Sequence, residues 1–208
     1  SKQYQLPYNK TLDLNNKTIS TINTCCSIPN EKKQTKLEHL RLVLTNKCNL
    51  NCIYCYANGG SYNQDLQDMD FSTIKNTLDF FYSKFEWIHQ ISFFGGEPLI
   101  RADLIDLTCK YVTDYCDKNN IKYPIFSMVT NGILLNENER NIINKHNIHI
   151  NISLDGPKDF NDKQRIFKNK KSTLSVFDIV DKNAKLLRES RPFSIESTCT
   201  NIINDFEY

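Results

Sequence analysis

An apolar run, Leu42-Val43-Leu44, passes through Thr45-Asn46-Lys47 into three cysteines spaced Cys48-x3-Cys52-x2-Cys55. No other stretch restricts the chain so strongly. Cysteine thiolate is the common ligand of iron–sulfur clusters, and three thiolates on one tight loop can hold three irons of a [4Fe–4S] cube. The fourth iron then has no protein ligand. An open coordination position separates a metal that does chemistry from one that only holds structure, a rule best documented for zinc. Two plainer readings of the same residues stand beside this one: a structural zinc site, or three unrelated buried cysteines. Zinc wants four ligands. The fourth would have to come from Cys25, Cys26 or His39, and none of these lies at a zinc-ribbon spacing.

The remaining composition narrows the class. A chain of 208 residues suits one domain, or one domain with an appendage. Twelve Phe, ten Tyr and 39% apolar residues argue for a packed core rather than disorder. The net charge of +2 gives no strong basic field, so nucleic acid is not an expected partner. No run approaches the ~20 apolar residues a membrane helix needs, and Ser1-Lys2-Gln3-Tyr4 opens no apolar signal region. No membrane partner is therefore expected. Eight cysteines without a secretory signal fit a cytoplasmic protein that uses thiolates for metal or redox work rather than for disulfides.

Residues 1–39 read as an N-terminal extension or linker. Leu12/Leu14 and Ile19/Ile22 alternate over short stretches, and Glu31 to Lys36 is a charged run. Cys25 and Cys26 are adjacent, so their side chains diverge and cannot clamp one metal by themselves. From Leu40 onward the pattern becomes strand, loop, helix, repeated. Candidate strands are Leu40–Thr45, Gln90–Phe94, Ile125–Thr130, Ile148–Leu154 and Phe193–Thr200. Candidate helices are Phe71 to Phe85 capped by Asp70, Arg101 to Asp117, a helix to Lys145 capped by Asn136, and Ser172 to Arg188. Alternation of this kind implies parallel strands and an α/β fold. The strands also alternate internally. Ile148, Ile150, Ile152 and Leu154 oppose His149, Asn151 and Ser153. A parallel strand buried on both faces would be apolar throughout. A curved, open barrel with a wet inner side, lined by residues such as Asn151, Ser153, Glu196 and Thr198, accounts for the polar positions.

The strand ends carry the chemistry. The cysteine loop follows the first strand, Gly95-Gly96-Glu97-Pro98 the second, Thr130-Asn131-Gly132 the third, Ser153-Leu154-Asp155-Gly156-Pro157 the fourth and Asn201 the fifth. Parallel α/β folds place their active sites at the carboxyl ends of strands. Turn residues are expected there in any case, but the full set on one rim is hard to treat as punctuation. Two glycines let a backbone approach a ligand closely, and Glu97 sets a carboxylate beside exposed carbonyls, a surface suited to an ammonium group. Arg165 offers a planar two-donor fork suited to a carboxylate. His39, His89 and His146 have no partner at metal spacing. Cys109 and Cys116 sit in one helix as core residues, and Cys199 reads as buried.

In order and spacing, these motifs resemble the radical S-adenosylmethionine (SAM) enzymes, in particular the maturases that modify peptides and proteins. Tyr56-Ala57-Asn58-Gly59-Gly60 looks most like the maturases of ribosomal peptides. The resemblance implies a [4Fe–4S] cluster on Cys48, Cys52 and Cys55 whose open iron chelates SAM. Reduction of that cluster would break a carbon–sulfur bond and yield a radical that abstracts hydrogen from the substrate. It further implies that Gly95, Gly96 and Glu97 receive the methionyl amino group, that Ser153 meets the ribose, that Arg165 meets the carboxylate and that Tyr54 flanks the adenine. No residue is singled out as a catalytic acid, base or nucleophile. One departure is visible, Asn161 where many relatives carry His. The implied fold is a partial (βα)6 barrel over residues 40–208 with five strands present, the last strand and any C-terminal auxiliary-cluster domain lying outside these residues. The implied partners are a precursor peptide or protein and a reductant such as flavodoxin or ferredoxin. Anaerobic sulfatase-maturase-like chemistry, an iron–sulfur redox module without SAM chemistry and a catalytically silent fragment stay open.

Overall fold

A computed structural model describes residues 33–169 and 172–198. Five strands lie side by side in sequence order and every pair is parallel. They are β1 (Leu37–Thr45), β2 (Ile88–Gly95), β3 (Ile125–Thr130), β4 (His149–Ser153) and β5 (Ser194–Glu196). The helices between them are α1 (Phe71–Lys84), α2 (Ala102–Asn119), α3 (Glu137–Lys145), α4 (Lys158–Gln164) and α5 (Val176–Arg188), with a single 3-10 turn at Pro98–Arg101. The expected partial α/β barrel of five parallel strands is what forms. Cys25, Cys26, Cys199, Asn201 and the alternations at Leu12/Leu14 and Ile19/Ile22 lie outside the described residues.

The two faces of the sheet differ in chemistry. On the helix side, Leu40, Leu42 and Leu44 of β1 join Ile91 and Phe93 of β2, Met128 of β3 and Ile150 and Ile152 of β4 in one buried cluster. The helices supply Ile74, Leu78 and Tyr82 from α1, and Leu104, Cys109 and Val112 from α2. Ile143 of α3 and Val176, Val180 and Leu187 of α5 complete the layer. Each such side chain removed from water contributes about 1.5–3 kcal/mol, so this layer holds the molecule together. The opposite face is polar and partly open. His39, Arg41, His149 and Asn151 are exposed there.

Several boundaries depart from the sequence expectation; β2 begins at Ile88 rather than Gln90, and β5 spans Ser194–Glu196 rather than Phe193–Thr200, of which Cys199 and Thr200 lie outside the described residues. β1 begins at Leu37 rather than Leu40, because Gln34 and Leu37 already bond to the chain around Lys84 and Trp87. α5 begins at Val176 rather than Ser172, because Ser175 is the residue whose hydroxyl caps it. α4 is not among the expected helices; it carries no apolar stripe, and its buried residues are Asn161 and Gln164.

Candidate active site

The cysteine loop is fixed at both ends. Thr45, the last residue of β1, donates its hydroxyl to Asp68 Oδ1 at 2.7 Å and accepts the Lys47 amide at 3.0 Å. Asn46 Nδ2 donates to the Asp65 carbonyl at 2.7 Å, and its Oδ1 accepts the Gln67 amide at 2.6 Å. The outgoing and returning arms are thereby clamped together. The middle of the loop is strapped by the chain that follows α4. Asn51 N donates to Ile166 O, Ile53 N to Gln164 O, and Lys168 N to Asn49 O. A turn closed by Cys55 N on Cys52 O presents the last two cysteines. All three thiols are free and half-buried.

The glycines of the second motif serve this loop first. A Cβ on Gly96 would sit 2.3 Å from the Lys47 carbonyl oxygen, and one on Gly95 2.2 Å from that of Thr45. The same approach lets Gly96 N donate to Thr45 O and Glu97 N to Lys47 O, both at 2.9 Å. Sequence reasoning assigned the glycines to a ligand; in the structure they also pack against Thr45 and Lys47 at the start of the cysteine loop. Glu97 is 1% exposed. Its Oε1 accepts from Leu99 N at 3.0 Å and from Thr130 Oγ1 at 2.7 Å, and its Oε2 from Asn131 N at 2.8 Å. Burial pushes its pKa up, and these bonds oppose the shift. Of the four lone-pair directions a carboxylate offers, three are taken, which leaves one on Oε2.

Arg165 is not the free fork that its loop position suggested. Its Nε and one terminal nitrogen bind Asp155 at 2.9 and 3.1 Å, and both side chains are buried. Asp155 Oδ2 also accepts the Tyr54 hydroxyl at 2.6 Å, and Oδ1 accepts the Thr198 amide at 3.1 Å. One carboxylate thus joins the cysteine loop, the end of α4 and the exit of β5. Tyr54 is held above the usual tyrosine range by burial and by this bond. The Arg165 guanidinium lies 5.7 Å from the Tyr54 ring centroid. Asn161, at the position of the departure, accepts the Asp155 amide at 3.1 Å and is buried.

These elements enclose a cavity of about 320 Å³ at the carboxyl edge of the sheet. Every candidate site residue lines it: the three cysteines, Tyr54, Gly95, Gly96, Glu97, Ser153 and Arg165. Asn131 and Thr198 line it too. A larger cavity, of about 640 Å³, opens at the amino ends of β3 and β4 around Lys110, Tyr123 and His146, without a cysteine. Asn131 was legible only as a turn residue, yet its Nδ2 bonds Asn49 Oδ1 at 2.7 Å and lies 3.8 Å from Cys48 Sγ.

The donor set fits an iron–sulfur cluster with one open position. Three free thiols from one loop border a shared cavity, and no fourth cysteine lines it. Among the described residues no three His, Cys, Asp or Glu side chains close on a single-ion site. His39, a candidate fourth zinc ligand, bonds Ser92 Oγ at 2.7 Å on the sheet face and does not line the cysteine cavity. Burial pushes the Cys48 thiol up to about 11, while metal coordination removes a thiol proton outright. The Leu50 amide, 3.4 Å from Cys48 Sγ, and Asn131 Nδ2 suit a sulfur that carries charge.

Comparison with known proteins gives a consistent set of likenesses. The family model described as Radical SAM superfamily matches residues 42–204. The uncharacterized protein MJ0907 of Methanocaldococcus jannaschii is 41% identical over 167 residues, 79% of this chain and 54% of its own length. A cysteine-type anaerobic sulfatase-maturating enzyme of Clostridium novyi is 28% identical over 77% of this chain and 42% of its own length. A GTP 3′,8-cyclase of Campylobacter jejuni subsp. doylei is 34% identical over 58% of this chain and 35% of its own length. The chain thus spans about half the length, or less, of these relatives. Among solved structures, native anSMEcpe with bound AdoMet and Cp18Cys peptide superposes with a TM-score of 0.62 at 21% identity, over 78% of this chain and 42% of that one, a likeness of fold.

Proposed function

The chain belongs to the radical SAM superfamily, and on that premise we propose that it cleaves SAM reductively at a [4Fe–4S] cluster to start radical modification of a ribosomally made peptide. The observation that carries this reading is the gathering of the cysteine loop, Gly95-Gly96-Glu97, Ser153 and Arg165 around one cavity at the carboxyl edge of the sheet. When bound, the cluster and SAM supply one-electron cleavage of the sulfonium and a carbon radical that takes a hydrogen atom from the substrate. The protein's own groups do the rest. Cys48, Cys52 and Cys55 hold three irons. Glu97 Oε2 and the backbone around Gly95 and Gly96 receive the methionyl ammonium. Arg165, already fixed by Asp155, turns its remaining N–H groups to the methionyl carboxylate. Ser153 meets the ribose and Tyr54 borders the adenine. The electron comes from a small reductant protein such as flavodoxin or ferredoxin, and the site of action is the cytoplasm. Among the described residues no helix is long and apolar enough to cross a membrane.

The likeness to a sulfatase-maturating enzyme supports a peptide or protein substrate. The likeness to a GTP 3′,8-cyclase favours a second reading, a purine nucleotide in the same cavity. Anaerobic reconstitution tests the common premise. The chain should take up one four-iron cluster, and with reductant it should convert SAM to 5′-deoxyadenosine. Cys52→Ala should lose both. Full iron and sulfide content in Cys52→Ala would sink the ligand assignment. A two-hydrogen mass loss in a candidate precursor peptide, against turnover of GTP, separates the two substrates.

A further inference from the structure

A parallel sheet is normally covered on both faces, yet the inner face here is open among the described residues. A second cavity, of about 260 Å³, lies along it. Phe94 and Val129 line both this trough and the cysteine cavity, so the two adjoin. Strand register sets the residues of the trough in rows. Arg41, Ser92, Ser127 and His149 stand side by side across four strands. Toward the cysteines, Val43 stands beside Phe94, and Val129 beside Asn151. The neutral polar groups are partly spent on one another: Gln90 Nε2 donates to Ser127 Oγ at 2.8 Å, and His39 pairs with Ser92 at 2.7 Å. No Asp or Glu lines the trough among the described residues.

Arg41 is the one permanently charged residue among those that line the trough; Glu196 stands beside Ser153 on the same face, outside that lining. Its guanidinium lies 4.8 Å from the Phe94 ring centroid. It makes no ion pair or hydrogen bond to any described residue, whereas Arg165 is held by Asp155 and Arg101 by Asp103. A guanidinium laid on an aromatic ring is oriented before it binds, and its edge stays available for a planar two-oxygen acceptor. We propose that Arg41 is a specificity residue that receives a side-chain carboxylate of an acidic peptide lying in the trough, beside the cofactor cavity. This rests on the reading that the chain is a radical SAM enzyme acting on a peptide. Two features favour a carboxylate over a nucleotide. A single fork matches a single carboxylate, while a triphosphate would call for several cations. Phe94, the phenylalanine shared by the two cavities, already carries the Arg41 guanidinium beside its ring, so a purine stacking there would compete with it.

The test uses the reconstituted 208-residue chain with SAM present. The probes are capped pentaglutamate, capped pentaglutamine and GTP, with dissociation constants measured by calorimetry. Pentaglutamate should bind about tenfold or more tighter than pentaglutamine. Arg41→Gln should erase that preference and leave iron content, thermal midpoint and uncoupled 5′-deoxyadenosine formation unchanged. Lys118→Gln, which removes an equal charge from an exposed position in α2, should keep the preference. The proposal is overturned if the two peptides bind alike, if the preference survives Arg41→Gln, or if Lys118→Gln also erases it. It is equally overturned if GTP binds more tightly than pentaglutamate and Arg41→Gln weakens it, which assigns the trough to phosphate. Failure of the function itself reads out separately, as a wild-type chain that holds no cluster or leaves SAM intact.

Discussion

Asp155 is the residue on which most of the site depends, and it shows what a single carboxylate can organise. Its four acceptor directions are filled by Tyr54, by Arg165 twice and by the Thr198 amide. Both partners of the ion pair are buried, with 7% and 0% of their side-chain surface exposed. Removing one member of such a pair leaves the other charge uncompensated, which costs about 3–5 kcal/mol. Asp155→Asn should therefore lower unfolding free energy by about that amount in urea titration of the cluster-free chain. Asp155→Asn combined with Arg165→Met should recover part of the loss, since no charge is then stranded. Additive losses would show that the two residues act independently. The sequence marked Asp155 only as the centre of a turn. Its real role depends on partners 101, 10 and 43 residues away, and no local pattern carries that information. Glu97 was legible as a site residue because Gly-Gly-Glu-Pro is contiguous. Its bonds to Thr130 and Asn131 were not legible, for the same reason of distance in sequence.

Elements with a one-sided apolar pattern were readable, and those held by polar bonds were not. β3 spans Ile125–Thr130 as expected, because its β-branched and aromatic residues are bounded by Pro124 and Gly132. α1 follows Asp70 as expected; its buried residues are Ile74, Leu78 and Tyr82. α4 escaped because its inward residues are Asn161 and Gln164, and burial by hydrogen bonding leaves no hydropathy signal. The start of α5 was expected at Ser172, and the helix begins after Ser175 instead. The structure distinguishes them. Ser175 Oγ accepts the Asp178 amide at 3.0 Å, a bond to the third residue of the helix. Ser172 Oγ accepts only the Leu174 amide at 3.4 Å, outside it. Ser175→Ala should cost about 1 kcal/mol of stability, read as a shift of the urea midpoint with unchanged slope. Ser172→Ala should shift it by less than half as much. Equal shifts would place the helix start where the sequence expectation had it.

Across the described residues stability is distributed unevenly, and the uneven part coincides with the site. The helix side of the sheet is a continuous apolar layer. The carboxyl edge carries the connection from β1 to α1, which has no helix or extended strand of its own. A connection of that length without secondary structure is uncommon in a compact domain unless it is functional. Its buried apolar anchors are Leu50 and Ala57, while Ile53 and Tyr56 are 66% and 80% exposed. Hydrogen bonds clamp its ends and strap its middle. Segments with few buried apolar contacts open locally at low free energy. A cluster held by Cys48, Cys52 and Cys55 would cross-link the weakest part of the edge to itself. Ligand linkage then applies: free ligand at a hundred times its dissociation constant adds about 2.7 kcal/mol. For a chain of this size each kcal/mol moves the melting midpoint by about 2–4 °C. The reconstituted chain should therefore melt about 5–10 °C above the chelated one. A protease that cuts after aromatic residues should nick the chelated chain beside Tyr54 or Tyr56 and spare the reconstituted one, because cleavage requires local opening. Iron bound without protection of this loop would mean that the metal sits elsewhere. Protection that persists in Cys52→Ala would mean that the strap after α4, rather than the cluster, holds the loop closed.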